Sequence, residues 1–113
     1  MVYDKVTDTA LSEPFMTASA DAVLLFDGVF LMRPELIDRW DLRIFVSAPF
    51  ERTLDRARIR DQTPTKSAAE IERRYRSRYI PSQQFYADTV RPTDHAHLII
   101  HNDNPHQPAW ETR

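Results

Sequence analysis

Hydrophobic and polar positions along this chain change period several times, and each change marks an element. Ala22-Val23-Leu24-Leu25-Phe26 is a continuous apolar run, the pattern of a strand covered on both faces, as in parallel sheets between helices. Leu42-Arg43-Ile44-Phe45-Val46-Ser47 and Ala96-His97-Leu98-Ile99-Ile100 are rich in β-branched and aromatic residues and predict two more strands. Between these two the spacing turns helical. Phe50, Leu54 and Ala57 form the buried stripe of a helix ending near Asp61, with Ser47 or Ala48 as cap, Pro49 in the first turn and Glu51 near the positive end of its dipole. Ser67-Ala68-Ala69-Glu70 is a capping box that opens another helix, along which Ile71, Tyr75 and Tyr79 recur every four residues. Pro81 interrupts that helix, Phe85-Tyr86 continues it after a kink, and Arg91-Pro92 bounds it. A short helix with Pro34 at its first position carries Leu36, Ile37 and Trp40 towards the core.

Residues 1–21 have neither a helical nor an alternating period and read as loop, while residues 106–113 read as a frayed tail. Strand, helix, strand, long helices, strand is an α/β order with crossover connections.

The only glycine, Gly28, follows Asp27 at the end of the first apolar run. Open α/β sheets bind ligands at the carboxyl ends of their strands. There Asp27 is suited to hold a magnesium ion, directly or through water, and Gly28 lets the chain turn close to a phosphate. The competing reading is a β-hairpin with an Asp-Gly type I′ turn. The helix start at Pro34 leaves too few residues for a returning strand of normal length, so strand-then-turn is preferred.

At 113 residues there is room for one core. The absence of cysteine excludes disulfides, thiolate chemistry and cysteine-based zinc sites. No apolar run reaches membrane-spanning length and the start lacks a signal-peptide pattern, so a cytoplasmic protein is expected. Charge is uneven. Arg52 to Arg78 carries nine basic residues against four acidic ones, a balance of +5, while the remainder sums to −7. Such asymmetry points to an anionic partner, be it nucleotide, nucleic acid or neighbouring acidic protein. Arg73 to Tyr79 interleaves arginine and tyrosine as RNA-binding surfaces do. Tyr75 and Tyr79 share the Ile71 face, however, and are expected in the core. His95, His97, His101 and His106 read as surface or turn residues.

Several of these stretches together carry a family resemblance. They are the run ending in Asp27-Gly28 with Val29-Phe30-Leu31 after it, Arg56-Ala57-Arg58-Ile59-Arg60-Asp61, Tyr3-Asp4, Pro81 with Gln84-Phe85, and Arg91-Pro92-Thr93. From about Tyr3 to Pro105 the sequence resembles the C-terminal part of uridine kinases, P-loop nucleoside kinases close to phosphoribulokinase. The resemblance implies a partial three-layer α/β domain over residues 1–105, a parallel sheet flanked by helices, with a lid at about 56–70. It implies ATP and Mg2+ as cofactors of the complete enzyme and a nucleoside or related small molecule as acceptor. By the same resemblance Asp27 assists the metal, Arg56 and Arg60 close over the triphosphate, Tyr3 and Asp4 contact the acceptor, and Gln84 contacts base or ribose. Guanidinium groups suit that role, because phosphoryl transfer rests on positioning and on neutralising phosphate charge.

The sequence also departs from the family. Asp27 stands where the family usually has glutamate, and Asp8 and Ala10 replace its usual His and Arg. No G-x-x-x-x-G-K-[ST] occurs, and the segment with the catalytic aspartate is missing, so no catalytic residue is assigned and no turnover by this chain alone is expected. The alternative is a non-catalytic remnant, a nucleotide- or anion-binding module of the same fold. In the family the P-loop strand lies between the strands matching Ala22–Asp27 and Leu42–Ser47. Without it both edges are exposed, which predicts marginal stability and pairing with another chain or a second copy.

Overall fold

The computed structural model describes the backbone of residues 2–4 and 9–11, and residues 14–113 in full. It is a mixed α/β structure built on a small mixed sheet. Strands β1 (Val2–Asp4) and β2 (Thr9–Leu11) form a separate antiparallel pair with Tyr3 opposite Ala10. In the main sheet β3 (Ile44–Ser47) and β4 (Leu98–His101) run parallel, Ile44 beside Leu98 and Ser47 beside His101. Parallel neighbours need a long crossover. Here it is helical: α1 (Phe50–Arg60), α2 (Ala68–Arg74), a π-helical turn (Tyr75–Tyr79), α3 (Ile80–Thr89) and α4 (Pro92–His95). β5 (Ala109–Thr112) pairs antiparallel with the other side of β4, so β4 is the central strand. The sheet is therefore mixed rather than all-parallel, and the expected tail supplies an edge strand.

The first apolar run departs furthest from the expected fold. Residues 22–28 form no strand. A strand exists only where a neighbour accepts its backbone bonds, and the run has none: the one bond recorded for it is from Ala22 N–H to Ser19 O, 3.1 Å. Its side chains face solvent, with Leu25 91 % and Val23 85 % exposed. The hairpin alternative fails as well. Gly28 does not have positive φ, which a type I′ turn requires at both central residues. Its use here is space: a Cβ at Gly28 would lie 3.1 Å from the Leu31 side chain.

The crossover also differs in detail. The cap of α1 is Pro49 itself, without a side-chain bond. The capping box holds, Ser67 Oγ accepting from Glu70 N–H at 3.2 Å. Pro81 does not end the helix. The preceding turn widens instead, Ile80 N–H bonding back to Tyr75 O, so the chain stays helical from α2 into α3. Widened turns of this kind absorb a residue that breaks the ordinary ladder. They also rotate the helix faces, and Tyr79 emerges 44 % exposed, packed edge-on against Tyr75 rather than in the core. Pro34 opens only turns, followed by a single 3-10 turn at Ile37–Arg39.

The core is small: Met32, Tyr86, Ala96 and Ile99, with Phe30, Ile37, Phe45 and Val90 packed against it. Leu54 and Ala57 are buried on α1 as expected. Phe30 meets Tyr86 edge-on at 5.3 Å, and Met32 N–H donates to the Tyr86 hydroxyl at 3.1 Å. Total accessible surface is 9609 Å², against roughly 6,500 Å² for a folded chain of this mass. Too little of this molecule is inside.

Candidate functional site

A cleft of about 750 Å³ separates residues 26–32 from β3 and the start of α1. Asp27 and Gly28 line one wall; Ile44 to Ala48, Thr53 and Arg56 line the other; Asn102, Gln83 and Thr93 complete it. Asp27 is the one acid among the lining residues and Arg56 the one base. Each arrives there for a local reason. Asp27 follows the apolar run and is held from behind by Phe26, whose ring stacks on Trp40 at 5.3 Å. Trp40 is in turn fixed by its Nε1–H donating to Leu31 O at 2.7 Å. Arg56 projects from the second turn of α1, and its Nη2 donates to Asn102 O at 2.6 Å and Asp103 O at 3.1 Å. It thereby ties α1 to the turn after β4, at the carboxyl end of the sheet.

The remaining expected site residues lie elsewhere. Arg60 does not line the cleft. Its guanidinium grips Asp61 at 2.7 and 3.1 Å and donates to the Tyr75 hydroxyl at 3.1 Å. Those bonds to Asp61 hold Arg60 well above the usual arginine range. Gln84 points away, donating to Asp88 Oδ1 at 3.0 Å, while Gln83 faces the cleft. Residues 83, 86 and 87 of α3 and its C-cap Val90 share one stripe, and position 84 falls about 100° off it. For Tyr3 and Asp4 the backbone lies in β1, and their side chains are outside the described residues.

The chain matches no family model, no curated protein and no solved structure.

The arginine-rich segment has an internal use. Arg58 bridges Asp55 and Glu72, each at 2.8 Å; Arg76 bridges Glu72 at 3.0 Å and Glu51 at 3.2 Å. This chain of charges clamps α1 to α2 and the π turn. Arg76 and Arg58 hold the Glu72 carboxyl below its usual range through direct hydrogen bonds. Of these acids only Glu51 lies outside residues 52–78, so it alone offsets the +5 balance.

Among the described residues no group of three or more His, Cys, Asp or Glu converges. Magnesium usually takes one or two carboxylates and completes its shell with phosphate oxygens and water. The single carboxylate of Asp27, exposed at the cleft wall, fits that minimal role. A triphosphate is met only in part, by Arg56, because no glycine-rich loop is present to surround it with N–H groups. Sequence reasoning missed Ser47, Asn102 and Gln83. Asn102 was accessible to the rule that ligands gather beyond the carboxyl ends of parallel strands. No helix among the described residues is long and apolar enough to cross a membrane.

Proposed function

We propose that this chain carries the magnesium- and acceptor-side half of a uridine-kinase-like phosphotransferase, a site in which a nucleoside triphosphate and a nucleoside would meet. The observation that carries the reading is the convergence of Asp27-Gly28, the carboxyl end of β3 and Arg56 on one cleft. Those parts lie where an α/β sheet places a ligand. Asp27 would hold Mg2+ with the phosphate oxygens, and Arg56 would neutralise phosphate charge while anchored to the turn after β4. When bound, Mg2+ neutralises charge on the transferring phosphoryl group. The resemblance would also put Arg60 on phosphate, which would require it to exchange its Asp61 partner. The second reading, an anion-binding module without transfer, is favoured by one observation: the absence of G-x-x-x-x-G-K-[ST].

Calorimetric titration of the 113-residue chain with ATP and Mg2+ tests the reading. Binding is expected, weakened about tenfold or more in Asp27→Asn, with phosphate transfer to uridine at background. Absence of binding refutes both readings. Transfer above background refutes the second and the expectation of an inactive chain.

A further inference from the structure

We propose that a second copy of this chain docks on the open edge of β3, each copy laying its Ala22–Phe26 run along the other's β3 as an added strand. Both halves of a missing strand pair are present in one molecule. The backbone of β3 is bonded to β4 on one side, and no strand lies on its other side among the described residues. The Ala22–Phe26 run is apolar throughout and has no strand partner. Strand addition to a free edge satisfies both sets of backbone groups, and alternating side chains seat the rest.

The surfaces match in character. Val23, Leu24, Leu25 and Phe26 on the run and Ile44 and Val46 on β3 are exposed apolar side chains. Neither stretch, 22–26 or 44–50, contains a charged residue, so like-charge repulsion does not oppose contact. At roughly 60–120 Å² removed from water per fully exposed aliphatic side chain, the six, 46–91 % exposed, bury about 250–500 Å² per copy. A pair then buries up to about 1,000 Å², the level at which specific interfaces begin.

Closure within one molecule would have to cross the cleft, and Met32 a few residues on from the run is locked into the core. Exchange between two copies is isologous, so it closes at two rather than growing. Ile44 to Ser47 also line the cleft, so the added strand would cover its β3 wall, and dimer formation and nucleotide binding would compete there.

Sedimentation velocity of the full chain tests it with two charge variants at exposed positions, Leu24→Glu on the run and Val46→Lys on β3. Wild type is expected as a dimer. Each variant alone should be a monomer with the wild-type far-UV circular dichroism spectrum. An equimolar mixture should recover dimers. One unaltered run then meets an unaltered edge, and at the other contact the introduced carboxylate meets the introduced ammonium. A monomeric wild type, open-ended larger species, or a mixture that stays monomeric would each overturn the proposal.

Discussion

Tyr86 shows how much one side chain carries in so small a core. Its ring packs against Phe30 and its hydroxyl receives the Met32 amide, joining residues 30–32 to α3 across 54 positions of sequence. Burial raises the Tyr86 pKa, so the hydroxyl stays protonated over the ordinary pH range. Tyr86→Phe keeps the ring and leaves a buried N–H without acceptor. It is expected to cost about 1–2 kcal/mol in urea unfolding; an unchanged midpoint would show that water replaces the hydroxyl. Of the six site residues read from the sequence, Asp27 and Arg56 came together and Arg60 and Gln84 did not. The difference is orientational. Sequence spacing places residues on a face of one helix, but which face meets the cleft depends on what packs behind it, and α3 turns Gln83 inward because Tyr86 and Val90 are held by the core.

Elements in this protein are joined by charge as much as by apolar contact. The Glu51–Arg76–Glu72–Arg58–Asp55 chain spans α1, α2 and the π turn. Glu72 has a depressed carboxyl pKa in the folded state, so its contribution is present above the unfolded value and is lost as pH falls through the folded one. Stability is therefore expected to fall below roughly pH 4.5, and Glu72→Gln should flatten that part of the profile in urea melts at successive pH values. Equal slopes for both proteins would remove Glu72 from the acid response. The wider turn before Pro81 was not visible in the sequence. Proline announces that the helical ladder must be interrupted, but whether the chain kinks, stops or widens is settled by the packing on either side.

For the molecule as a whole, surface is the dominant fact. About half as much again is exposed as a chain of this mass normally leaves, and the exposed apolar side chains of residues 23–26 are part of it. A fold whose missing contacts are supplied by association gains stability by mass action. The urea midpoint of wild type is expected to rise with protein concentration, while Leu24→Glu unfolds at a lower, concentration-independent midpoint with a shallow transition. A steep, concentration-independent transition in wild type would mean that the monomer is complete in itself.

Legible from the residues alone were the mixed α/β class, the positions of β3, β4 and α1, and the start of α2. Those follow from local periodicity and capping, which act within a few residues. Folding in three dimensions settled that Ala22–Phe26 is not a strand, that residues 109–112 are one, and that Arg60 bonds Asp61 and does not line the cleft. The reason is common to all three. A strand is defined by the neighbour that takes its backbone bonds and a guanidinium by the nearest acceptor it can reach, and neither partner is written in the segment that needs it.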